Sequence, residues 1–311
     1  MKKLCAAAVL LLALCLLAGA LAEGETVVFT NGRGASIEVD KDAEAINLGS
    51  VTLTNQGSDY SDFMEFLKKL PNLKRVDMYA TEIRRAQIEK LAAAFPDMEW
   101  GWTMVIPCNN PLHPERTPHK VRTDVTAFST LHNNQCTPHP TEDLAILRFC
   151  KNLLALDIGH NAVDNLSFLY DLPHLKVLIV GRNALNDITP LGSLKELEYL
   201  ELFSNRVYDI SPLANCVSLV DLNICYNYVH DYTPLTGLEN LRRLCIYNSN
   251  NYSDSDPVPY SVVAMLKNAL PKCAVDTYTS AASGAWREHH RYDTIYKMFW
   301  GTEYIPFDNL D

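Results

Sequence analysis

Apolar residues recur along the middle of the chain at a fixed spacing of twenty-two positions. Leu156, Leu178, Leu200, Leu222 and Leu244 mark one phase, and Ile158, Val180, Leu202, Ile224 and Ile246 follow two residues later. Leu153, Leu175, Leu197, Leu219 and Leu241 precede the first set by three. Asn161, Asn183, Asn205 and Asn227 keep the same interval, with Ser249 where a fifth would stand. Asp187, Asp209 and Asp231, then Pro190, Pro212 and Pro234, complete the unit. A constant period of this length means one small unit repeated, each copy burying its apolar side only against its neighbours.

Each position of the unit, LxxLxLxxNxhxDIxPLxxL, has a physical role. The LxL alternation predicts a short strand that turns its leucines inward and the residues between them outward. The Asn amide can satisfy backbone groups where the chain leaves the strand, a place where an unpaired buried group would cost ~1–3 kcal/mol. Asp-Ile-Ser/Thr-Pro-Leu starts a tight turn or 3₁₀ segment, with Pro fixing the backbone. These residues, over about 150–250, resemble the 22-residue leucine-rich repeats of internalin-type bacterial surface proteins. The resemblance implies an α/β solenoid: a leucine-rich-repeat horseshoe with a parallel β-sheet on the concave face and short helical or 3₁₀ segments on the convex face. Asn161, Asn183, Asn205 and Asn227 would form its structural ladder.

The flanks are less regular. Leu70 to Ile83 reads as a diverged copy with Thr81 in the Asn slot, and its Val76 lies twenty-five residues after Val51, so a strand at Val51-Thr52-Leu53 is predicted. Helices are expected over 60–70 and 82–95, and strands near 26–30 and 36–40 close the start. Residues 107–140, rich in Pro, His and Asn, read as an irregular loop. Residues 257–270 read as a helix, 271–275 repeat the core rhythm, and 284–300 read as one final amphipathic helix. The chain is therefore divided into a signal peptide (1–22), an N-terminal cap with divergent repeats (23–106), the loop insertion (107–140), the regular repeats (141–256) and a C-terminal cap (257–311).

Lys2 and Lys3 precede an apolar run from Leu4 to Leu17, and Ala20-Leu21-Ala22 gives the small-x-small pattern that signal peptidases cut. The run is shorter than the ~20 residues a membrane-spanning helix needs. Cleavage would leave 311 − 22 = 289 residues, secreted and not inserted in the membrane. Loss of both lysines takes the formal charge from −10 to −12, and no basic stripe exists to engage nucleic acid.

Seven cysteines remain after such cleavage. Cys108 and Cys136 both lie in the long loop, which gains most from closure, and form the favoured pair. Cys150 and Cys216 fill a leucine slot of the repeat and read as small core hydrophobes. Cys225 and Cys245 face outward one strand and two residues apart, roughly 8 Å between Cα atoms, beyond the ~7 Å limit for a bridge.

His113, His119, His132, Cys136 and His139 match no closed metal-ligand spacing and read as exposed loop residues, so no metal is assigned. No nucleophile elbow, HExxH or phosphate loop occurs in the sequence, so no catalytic residue and no cofactor is assigned. The outward strand positions form three columns: Ala155, Val177, Tyr199, Asp221, Arg243; Asp157, Ile179, Glu201, Asn223, Cys245; and Gly159, Gly181, Phe203, Cys225, Tyr247. Tyr199, Phe203, Tyr247 and neighbouring Tyr226, bordered by Glu201, Asp221 and Arg243, are the expected ligand-binding residues, because Tyr and Arg are enriched in binding hot spots. The function read from this is a non-enzymatic binding module with a protein partner, ahead of a glycan. The alternative is a structural or adhesive surface protein in which the repeats are a spacer.

Overall fold

A computed structural model of the chain describes residues 24–53, 60–108, 116–131, 138–247, 258–277 and 284–307. The expected signal peptide (1–22), His113, His132, Cys136 and Ser249 lie outside the described residues. The chain divides into two compact units, residues 1–81 with 89–100, and residues 82–88 with 101–311.

In the first unit, β1 (Thr26–Thr30) and β2 (Ser36–Asp40) form an antiparallel hairpin. Strand β3 (Ala45–Asn47) runs parallel to β4 (Arg75–Arg84), with Ile46 opposite Val76. The strand predicted at 51–53 is therefore displaced: the partner of Val76 lies thirty residues upstream, not twenty-five. Leu53 is still buried, and its N–H donates to Thr81 Oγ1 at 3.2 Å, so the Thr in the Asn slot takes a backbone bond. Helix α1 (Ser61–Leu67) packs Phe63 and Phe66 on Phe29, each ring centroid 5.2 Å from it. Helix α2 (Arg85–Ala94) follows.

In the second unit, β5 (Glu99–Ile106) pairs antiparallel with β6 (His119–Arg122). Next come β7 (Ala127–Ser129), a short α3 (Thr141–Leu144), and the repeat strands β8 (Ala155–Asp157), β9 (Val177–Ile179), β10 (Tyr199–Glu201), β11 (Asp221–Asn223) and β12 (Arg243–Cys245). After α4 (Tyr260–Ala269) the chain adds β13 (Ala274–Asp276), then α5 (Gly284–Arg287) and α6 (His290–Met298). Strands β7 to β13 form one seven-stranded parallel sheet in sequence order. This is the leucine-rich-repeat solenoid. The expectation that 107–140 is all loop is corrected, since it contains β6 and β7, and β7 opens the long sheet. Phe128 stands opposite Leu156 there and extends the leucine row by one strand.

The register is set by the twenty-two-residue period: Leu156, Leu178, Leu200, Leu222 and Leu244 stand opposite one another and are fully buried. Each repeat then leaves its strand through a left-handed residue, His160, Arg182, Ser204 or Tyr226, with φ of 54–57°. That conformation is unfavourable for a residue with a Cβ. Here each of these N–H groups donates to a carbonyl of the next repeat, as Arg182 does to Phe203 at 2.8 Å. The Asn that follows ties neighbouring copies: Asn205 Nδ2 donates to the carbonyls of Val180 and Leu202, both at 3.0 Å, while its Oδ1 accepts from Leu185 N–H. Asn161, Asn183 and Asn227 make the corresponding bonds. On the far side, Asp187, Asp209 and Asp231 accept from the N–H two residues on and open 3₁₀ turns such as Thr189–Ser193 and Ser211–Asn215, each with Pro in its first turn.

The predicted single helix over 284–300 is broken at Glu288-His289. His289 has extended backbone and caps α6 by accepting from Arg291 N–H.

Candidate functional site

The outward columns of the sheet are not open to solvent. Strands β8 to β11 are buried on both faces. Tyr199, Glu201 and Asp221 have no exposed surface and Phe203 retains 5%, whereas Arg243, Tyr226 and Tyr247 are half-buried. The expectation that these side chains face solvent is corrected for the first four. What covers them is the chain's own segment 284–307, which lays Trp286, Ile295, Met298, Phe299 and Phe307 against Ala155, Val177, Ile179, Tyr199, Phe203, Cys225 and Cys245. A second apolar core thus forms on the concave side, separate from the leucine rows.

Polar contacts are as specific as the apolar ones. Trp286 Nε1 donates to the Tyr199 hydroxyl at 2.7 Å, and that hydroxyl donates to Glu201 Oε1. Arg287 reaches Glu201 through Nη2 at 2.6 Å and through Nε at 3.1 Å. Four residues later, past the break at Glu288-His289, Arg291 makes a bidentate contact with Asp221, Nε at 3.0 Å and Nη2 at 2.8 Å. Arg243 lies between the two layers: it donates to Asp221 at 3.3 Å and to the Trp286 carbonyl at 2.8 Å, and its guanidinium stands 4.0 Å over the Trp286 ring. Bidentate Arg–carboxylate geometry of this kind adds orientation as well as energy.

Electrostatics follow from this packing. Burial, reinforced by the Glu201 charge, pushes the Tyr199 hydroxyl pKa well above its ordinary value. Burial draws the Arg287 guanidinium down, but Glu201 more than offsets it and the group ends raised. Arg243 is lowered by burial despite Asp221 beside it. Asp157, on the same face and fully buried, is pushed up by burial to about 6 even though it accepts from Gly159 N–H and Ser129 Oγ.

Backbone shape serves the same surface. A Cβ on Gly181 would come within 2.5 Å of the Phe203 ring, so the glycine in that column is the floor on which Phe203 lies. Beside Phe203, Cys225 and Cys245 are disulfide-bonded with Cα atoms 6.0 Å apart. The expectation that they stand too far apart is corrected. Strand β11 ends at Asn223, and Ile224 N–H donates to the Cys245 carbonyl, which carries Cys225 alongside its neighbour just before the left-handed turn at Tyr226. Flat strand geometry does not apply past that point.

Of the remaining cysteines, Cys108 is disulfide-bonded, and its expected partner Cys136 lies outside the described residues. Cys150, Cys216 and Cys273 are buried free thiols. The reading of His119 and His139 as exposed is also corrected: they retain 5% and 1% of their surface, with ring centroids 5.4 Å apart. The Nε2 atom of each lacks a hydrogen-bond partner. His119 lies within β6, and alternation in Lys120-Val121-Arg122 was the available sign of that strand.

The signal for the cover was also present in the chain. Arg291, Ile295, Met298 and Phe299 share one helix face, and Trp286-Arg287 precedes them. An amphipathic element of this kind requires a surface to cover.

No family model matches the chain, and no curated protein does. Among solved structures, it is similar to an internalin (inlF) from Listeria monocytogenes at 20% identity, over 69% of this chain and 50% of that one, with a TM-score of 0.37. Internalin C2 of the same species gives 21% identity, 76% and 82% coverage and a TM-score of 0.36. A leucine-rich-repeat protein of Leptospira interrogans gives 21%, 68% and 50%, and 0.42. The chain spans about half the length of the first and third of these proteins.

Proposed function

We propose that the chain is an exported, non-enzymatic binding module that recognises a protein partner with the concave face of its repeats. The observation that carries this reading is that the face already holds a polypeptide, segment 284–307, through an indole hydrogen bond and two guanidinium–carboxylate contacts. Deep aromatic seats beside desolvated charges are the chemistry of protein recognition. Tyr199, Glu201, Phe203 and Asp221 form the floor of the site, and half-buried Tyr226, Arg243 and Tyr247 form its rim. Export is supported by the bonded state of Cys108, Cys225 and Cys245, since disulfides persist in oxidising compartments. No helix among the described residues is long and apolar enough to cross a membrane.

A second reading, an adhesive or structural role with glycan contact, draws on a different surface. Tyr208 and Tyr228 stack at 4.9 Å, and Tyr208 is 61% exposed. Mature protein used as bait against cell-surface extracts and glycan arrays separates the two. A protein partner should crosslink at the rim, and Tyr226→Ala with Tyr247→Ala should weaken it by ~1–3 kcal/mol. Capture of glycan alone, lost on Tyr208→Ala, would replace the first reading with the second.

A further inference from the structure

We propose that segment 284–307 is a displaceable internal ligand, and that the partner taken by the concave face is a cationic segment carrying an aromatic residue followed by two arginines four positions apart. This rests on the reading of the face as a protein-binding surface. It adds the chemistry of the partner.

The charge pattern selects the ligand. Asp157, Glu201 and Asp221 are fully buried on this face, and Arg243 is the one cation its outward columns supply. Arg243 already reaches Asp221, and Asp157 accepts from Gly159 and Ser129, so an occupant that brings no positive charge leaves Glu201 desolvated without its cation. The resident segment brings that charge with Arg287 and Arg291, four residues apart, and seats Trp286 against Tyr199 just before them.

The way the segment is attached makes it separable. It adds no strand to the sheet, which closes with β13 before the segment begins. Its apolar anchors pack on the outward columns and on flanking Leu154 and Val220, while the Tyr304 hydroxyl and Phe307 N–H donate to Glu198; the inward leucine rows are buried by their own neighbours. Lifting it uncovers the concave face without opening the leucine core. It is also built from short pieces, four residues of α5 and nine of α6.

The test uses full-length mature chain and a labelled synthetic peptide of residues 284–307. Wild type should bind the peptide weakly, because its own copy competes. Arg287→Glu with Arg291→Glu should weaken the internal copy and tighten peptide binding by ~10-fold or more, as expected when the competent state becomes more populated. A peptide carrying the same reversals should not bind. Hydrogen exchange on the unmodified wild type serves as a second measurement: amides of α6 should exchange through an opening that leaves β8 to β12 protected. Failure of the peptide to bind the folded variant, or exchange of α6 only together with the repeat strands, would overturn the proposal. A stable wild-type dimer built by trading the segment would assign the face to a second copy and also overturn it. Rim-dependent capture of another protein would still leave the binding-module reading in place.

Discussion

Arg291 and Asp221 stand seventy positions apart in the chain and meet in a bidentate contact, with side-chain exposures of 4% and 0%. Neither residue is part of the repeat motif. Their contact closes the concave face of a sheet whose leucines are already packed on the other side, so the same strands serve two cores. Burial on both faces is ordinary for parallel sheets, which are normally covered on each side.

The two-core arrangement changes what single substitutions should do. Leu200→Ala should cost ~2–5 kcal/mol, and Tyr199→Ala a comparable ~3–5, because both side chains are fully buried. Chemical denaturation of the two variants checks this. A cost for Tyr199→Ala within about 0.5 kcal/mol, the range of a surface change, would mean that the cover is absent.

That prediction also marks the boundary of what the sequence makes legible. The twenty-two-residue period reports contacts between neighbouring copies, so the strand register, the Asn ladder positions and the 3₁₀ turns follow from it. The contact between Arg287 and Glu201 spans 86 residues and lies outside any period. Glu201 was legible as outward-facing, but outward is not the same as exposed when an amphipathic segment elsewhere needs a surface. The Cys225–Cys245 bridge was missed for a local reason. Straight-strand spacing was extended past Asn223, where the chain already bends.

Acid should weaken the second unit through His139. Burial, with His119 beside it, holds the His139 pKa down to about 4 against an ordinary 6.5. Between those values the unfolded chain takes up a proton that the folded chain refuses, so this contribution is intact above about 6.5 and is lost as pH falls toward 4. Asp157, raised to about 6, acts in the opposite direction and gains stability over part of the same range. Denaturation midpoints of wild type and His139→Phe at pH 7.5 and 5 separate the two. The variant should lose less on acidification, and an identical loss would remove His139 from the account.

Thiol chemistry gives a third check. Cys150 and Cys216 are pushed up to about 12 and Cys273 to about 11, each chiefly by burial. Folded protein should therefore react slowly with a maleimide at neutral pH. With Cys225–Cys245 bonded, and Cys108 bonded to Cys136 and the first 22 residues cleaved as we propose, the remaining seven cysteines should yield three reactive thiols on denaturation without reductant, 7 − 4 = 3. Five would break one of the two bridges. Reducing Cys225–Cys245, which closes a loop of twenty residues, should lower stability by ~3 kcal/mol.

The central claim is that the C-terminal segment occupies the concave face, and a double-mutant cycle on Asp221 and Arg291 tests it most directly. Asp221→Ala and Arg291→Ala should each cost ~3–5 kcal/mol, since each leaves a buried charge without its main partner. The double variant should cost at least ~1 kcal/mol less than their sum, the signature of two groups in contact. Costs that add within about 0.5 kcal/mol would show that Arg291 does not sit on Asp221, and the concave face would have to be read as open.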